Sequence, residues 1–346
     1  MKNPRTLLFV ALGIVAFVVG FVFLRGPTPH ITIAAEELTK VGPVKLTNTM
    51  VTSWFVVAFI IVFFFLATRR WGLVPSGLQN FLEAALEAFY NLVVNVAGEK
   101  NGRRFFPVVA TIFLYVVISN WLSLTPIFNS IGFHSPEEEH GFVMEQADIG
   151  PFDVTWVPFS GPGALSADSI DEDDPDHVEQ AEKAKEDGKF VGELIPLFRG
   201  SNTDLNTPLA LAIASAIAVE FWGISSLGLF TYGKKFFDFR GPINFFVGIL
   251  ELVSEMVRLV SFTFRLFGNM FAGEVVILMF TFLTPIILTL PFYGLEIFVG
   301  LIQGFIFSML TLVFGVMAVS HGEHGEEHGE GHAPGAAAGA APEPAH

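Results

Sequence analysis

Six ionisable side chains fall inside the two most C-terminal apolar stretches of this sequence. Glu251, Glu255, Arg258, Arg265 and Glu274 lie in residues 243–283, and Glu296 lies in residues 291–319. Asn269 and Gln303 add polar groups to the same stretches. A charge at the centre of a membrane-crossing helix costs about 2.5–3.5 kcal/mol on insertion scales, so each of these groups is a functional candidate. On a helix, Arg258 and Arg265 fall within about 20° of one line, and Asn269 is one turn further along the same side. Glu274, nine residues after Arg265, points to the opposite face. Glu296 and Gln303 are seven apart and share a face.

The two stretches pair as an antiparallel hairpin. Placing Arg265 level with Gln303, or Glu274 level with Glu296, puts the turn at Thr284-Pro285 in both cases. One register thus sets a guanidinium beside an amide and two carboxylates beside each other. Two carboxylates in one polar pocket repel, so one tends to keep its proton. Such a pair can pass protons. Arginine holds its charge at physiological pH and cannot relay a proton by titrating. A fixed cation in the membrane suits two other tasks. It blocks proton passage, and it favours the anion of a partner carboxylate. Both need a mobile carboxylate from elsewhere. The plainer reading is a structural ion pair with Glu251 or Glu255.

The elements that position these groups are membrane helices. Of 346 residues, 52% are hydrophobic and only 15% charged, with 39 Phe. A soluble domain carries about 25% charged residues. Apolar runs long enough to cross a bilayer occupy 48–68, 105–124, 206–232, 243–283 and 291–319. Residues 6–24 qualify too, after Lys2 and Arg5, as a retained span or a cleaved signal peptide ending near ITIAAEE. Residues 75–98 alternate apolar and polar groups at helical spacing and read as an amphipathic surface helix. The predicted fold is an all-α integral membrane protein with five to six membrane helices, the last two a long tilted hairpin.

Five regions follow. Residues 1–47 hold the first helix and an external linker, and 48–126 hold two spans with the surface helix between. Residues 127–203 form an acidic loop, 204–320 hold the channel helices, and 321–346 form a His/Glu/Ala/Gly-rich tail read as disordered. The acidic loop holds 17 of the 34 acids and reads as partly disordered. The net charge of −15 disfavours nucleic acid as a partner. With no cysteine, disulfides and thiolate chemistry are excluded. Neither a cofactor nor a metal is assigned, although the run His321–His332 has metal-ligand residue types. Basic clusters at Arg69/Arg70, Lys100/Arg103/Arg104 and Lys234/Lys235/Arg240 predict a cytoplasmic side, with the acidic loop external and the C-terminus cytoplasmic.

The residues carry a resemblance as well. FTFRLFGNMFAGEVV (262–276) resembles the long R-L-F-x-N-x-x-A-G-E motif of subunit a of F-type ATP synthases. LIQGFIFSMLTLVF (301–314) is similar to that family's final helix, and VPSGLQNFLEAALE (74–87) to its early amphipathic segment. The run from Phe106 through Asn120 to Pro126 resembles its next span, and Asp204-Leu205-Asn206 resembles a polar motif before the following one. The likeness covers roughly 45–125 and 201–320. It implies that Arg265 is the essential arginine facing the ring of c subunits. It implies a proton path through Asn269, Glu274, Glu296 and Gln303, with Glu251, Arg258, Asp204 and Asn206 as further candidates. Family members differ in which of the Glu274 and Glu296 sites is a carboxylate; here both are.

The expected partners are c-ring subunits, b-type peripheral stalk subunits, other ATP synthase subunits, membrane lipid and protons. The chain would not be catalytic alone. The expected location is a bacterial inner membrane. A secondary ion-coupled transporter with an intramembrane Arg/Glu pair is the alternative. It commonly shows internal repeats, and none is evident here.

Overall fold

A computed structural model describes Val15 and residues 31–41, 44–69, 77–125, 127–129, 131–135, 142–149, 152–156, 190–233, 236, 241–283 and 289–320. The predicted first span (apart from Val15), the Thr284-Pro285 turn, the acidic run at 171–174, Lys234, Lys235 and Arg240, and the tail lie outside these residues.

In chain order the elements are β1 (Glu37–Val41), β2 (Val44–Thr47), α1 (Asn48–Thr68), α2 (Leu78–Ser123), β3 (Gly132–Ser135), β4 (Phe142–Ile149), β5 (Phe152–Trp156), β6 (Phe190–Pro196), α3 (Asn206–Leu227), α4 (Leu229–Gly233), α5 (Pro242–Leu283) and α6 (Thr289–Ser320). Among the described residues, α1, α2, α3 and α6 are long and apolar enough to cross a membrane. Helix α5 is equally long but carries the charges singled out above. The surface of α1 exposes Trp54, Phe59, Ile61 and Phe65. Water would penalise such a surface, whereas lipid would not.

The amphipathic segment and the next span form one helical run broken at Gly98, whose φ of 74° and ψ of 164° are non-helical. There the chain folds back on itself. The Phe89 ring stacks on Phe113 at 4.6 Å, and Val94 closes on Gly102. Only glycine adopts this backbone readily, and other residues pay about 1–3 kcal/mol. A Cβ at Gly98 would meet open space, so the penalty for Gly98→Ala is torsional. We expect this variant to lose about 1–3 kcal/mol of stability, read as a lower Tm of the detergent-solubilised protein against wild type.

Helix α6 is the centre of the bundle and packs on α2, α3 and α5. Phe105 stacks on Trp222 at 4.2 Å in one buried cluster. Phe262, Leu266, Met270 and Phe307 fill another with Ile112, Val116 and Ala212. The second cluster fixes the α5 turns that carry Arg265 and Asn269. The acidic loop has more regular structure than its charge suggested. β3, β5, β4 and β6 close into a small antiparallel barrel. Runs such as FVMEQADI and FVGELIP supply the β-branched and aromatic residues that strands favour.

Candidate functional site

Arg265 lies near the middle of α5, half-exposed beside the buried Phe262 and Leu266. Its Nη2 lies 3.4 Å from Ser261 Oγ, and its guanidinium is 5.9 Å from the Phe262 ring centre. Among the described residues it has no carboxylate partner. Arg258, one stripe-repeat earlier, differs. Its Nη1 donates to Glu255 Oε2 at 2.7 Å, and its guanidinium covers the Phe314 ring at 3.7 Å. The structural reading therefore fits Arg258, and Arg265 is the arginine left for an external anion. Glu251 is half-buried on α5 and has an interaction of its own.

Asn269 Nδ2 donates to Gln303 Oε1 at 2.9 Å. The sequence expectation set Gln303 level with Arg265; the structure pairs it with Asn269, one turn further on. The Asn269–Gln303 pair centres the hairpin on residue 286 rather than on 284–285. Gln303 is 2% exposed, and its Nε2 has no partner among the described residues.

Glu274 and Glu296 line one cavity of about 320 Å³, together with residues of α2, α3's approach, α5 and α6. The expected juxtaposition of two carboxylates thus holds at the level of a shared cavity. The Glu296 carboxylate occupies the space that a Cβ on Gly273 would take, so Gly273 lets it reach the turn that presents Glu274. Glu274 Oε1 accepts from Asn129 Nδ2 at 2.7 Å and lies 3.8 Å from Arg199 Nε. Its Oε2 is buried without a partner among the described residues.

Sequence reading missed most of the cavity wall. Asn202 Nδ2 donates to Asn120 Oδ1 at 2.7 Å and to Ser119 Oγ at 3.1 Å. Ser119 and Ser201 share a hydroxyl hydrogen bond. Asn120 Nδ2 and Asn202 Oδ1 remain buried and unsatisfied by the described residues. Each such atom costs about 1–3 kcal/mol unless water satisfies it. The cavity is polar and roomy enough for that water. The missed signal was the run Arg199–Asp204, six residues mostly polar, immediately before a span.

Asp204 and Asn206 sit beside the cavity rather than in its lining. Asp204, buried, accepts from Thr49 Oγ1 at 3.1 Å and Asn206 Nδ2 at 3.0 Å. That ties the starts of α1 and α3 together.

The arrangement is a carboxylate-lined cavity, with room for water, at one end of the bundle. A lone cation sits about 13 Å further along α5, nine residues at 1.5 Å each. Cation and cavity together can take a proton from one side and stop it from passing straight through.

Residues 50–315 match the sequence profile of the family described as ATP synthase A chain. The chain is 30% identical over 299 residues to ATP synthase subunit a of Gloeobacter violaceus, covering 84% of this chain and 94% of that protein. It is 27% identical over 278 residues to ATP synthase subunit a of Moorella thermoacetica, covering 80% and 93%.

Proposed function

The chain belongs to the ATP synthase A chain family, and from that premise we propose that it is the stator subunit that conducts protons to and from a rotating ring of c subunits. It is a multi-pass membrane protein. The observation that carries the reading is Arg265: a cation on a membrane helix with no acid partner among the described residues, between two polar regions. On one side lies the Glu274/Glu296 cavity. On the other lie Glu255 and Arg258, with Glu220 and Tyr232 close by.

A proton from the outer side enters the cavity, is held in turn by Glu296 and Glu274, and passes to a ring carboxylate. The neutral ring site turns away through lipid. When a ring site returns, Arg265 draws its carboxylate into an ion pair, which releases the proton towards the second polar region. Asn269 and Gln303 fix the helix face beside Arg265. The free energy gained is about 2.3 kcal/mol per proton per 100 mV. Asp204 and Asn206 hold the helix ends that frame the cavity, and Glu251 and Arg258 belong to the inner region.

The sidedness follows the basic clusters. Arg104 Nη1 donates to Ser226 Oγ at 3.0 Å, so the basic end of α2's span and the end of α3 lie together. That end is cytoplasmic by the positive-inside rule. The cavity and the acidic loop are then external, in the inner membrane of a bacterium. Peripheral stalk subunits would hold the chain against the ring's torque.

Because Glu296 occupies the space of a Gly273 Cβ, Gly273→Ala must push the carboxylate aside. We expect ATP-driven proton pumping by vesicles holding the whole complex to fall roughly ten- to a hundredfold, the scale of a 1 Å misplacement. Unchanged pumping would remove Glu296 from the path. The transporter alternative is tested separately. The purified chain alone in liposomes should move no solute, whereas a transporter would.

A further inference from the structure

Arg199 is 5% exposed and lies in the loop that leads into α3. Its guanidinium is shared between two parts of the chain. Nη1 donates to Thr32 Oγ1 at 2.9 Å and to the Ala34 carbonyl at 3.0 Å, and Nη2 donates to the Thr32 carbonyl. Nε faces Glu274 Oε1 at 3.8 Å. A second contact holds the same region, since Asn48 Nδ2 donates to Glu36 Oε2 at 3.1 Å. The planar fork of arginine can serve two partners on different edges at once, and lysine cannot.

We propose that Arg199 is a positioning residue for Glu274. It clamps the segment 32–34 with one edge of its guanidinium and aims the Glu274 carboxylate with the other, leaving Oε2 without a partner among the described residues. The inference rests on the proton-path reading of Glu274. On this view residues 32–34 brace the outer half-channel from behind the cavity lining. The rest of the cavity surroundings agree. Asn129 is the only described group that donates a hydrogen bond to Glu274. It donates to the same Oε1 that Arg199 faces, so both partners hold one oxygen and spare the other.

A double-substitution cycle on the whole synthase in inside-out vesicles tests this, with the chain's amount in the membrane measured alongside. ATP-driven pumping should fall about tenfold for Arg199→Gln and about tenfold for Glu274→Gln. The double variant should pump like Glu274→Gln alone, because a positioning residue has nothing left to position. A merely structural Arg199 would multiply the losses to about a hundredfold, and that result would overturn the proposal. So would wild-type pumping by Arg199→Gln. If Arg199→Gln fails to accumulate, Arg199→Lys replaces it, with a loss of about threefold expected alone and none added to Glu274→Gln. Should Glu274→Gln itself pump normally, the proton-path reading of Glu274 fails first, and this inference with it.

Discussion

Replacing Arg265 by alanine should abolish ATP-driven proton pumping, a loss of at least about a hundredfold, while ATP hydrolysis by the peripheral sector persists. The ring carboxylate must give up its proton within a low-dielectric interface. An ionised carboxylate there costs several kcal/mol unless a cation pairs with it. Arg265 is the only membrane-buried candidate among the described residues without an acid of its own, since Arg258 is engaged by Glu255. Without that cation the ring site stays protonated and rotation carries no net charge. Arg265→Lys should also pump poorly. The ammonium keeps the charge but loses the planar donor fork. Quenching of a pH-sensitive dye by inside-out vesicles measures both.

The second large effect is expected at the cavity. Glu274→Gln should lower pumping about tenfold, and Glu296→Gln should do so comparably. The pair together should lower it at least about a hundredfold. The two carboxylates line one cavity, so either retains a partial path through the cavity's water. A cavity with neither holds no group that binds and releases a proton near neutral pH. Parallel measurement of the chain's abundance in the membrane separates this from instability. A double variant that still pumps at half the wild-type rate would show that protons take another route.

Much of this was legible in the residues. The apolar runs gave the helices because a bilayer leaves the backbone few other ways to satisfy its hydrogen bonds. The charges on α5 stood out because a membrane span tolerates them only at a cost. Side-chain periodicity placed Asn269 near Arg265 and Glu274 away from it. The register came out a turn adrift, with Gln303 on Asn269, because the position of a hairpin turn within an apolar run leaves little trace in composition. The break at Gly98 falls where the amphipathic segment was expected to end, but a single glycine between two helical patterns does not reveal that the chain folds back on itself there. Arg199 and the Ser119, Asn120, Ser201 and Asn202 network were invisible as a set. Their partners lie 75 or more residues away in the chain, and periodicity carries nothing over such distances.

The central claim is that Arg265 separates two polar paths, and passive proton conduction with rotation blocked tests it most directly. Vesicles are stripped of the peripheral sector and the ring is cross-linked to this chain through engineered cysteines, which the cysteine-free sequence permits. Under an imposed potential, locked vesicles with Arg265 intact should be proton-tight, because the only way past the cation is by rotation. Locked Arg265→Ala vesicles should leak protons well above that level. If they are as tight as the locked wild type, Arg265 is not the barrier between the paths.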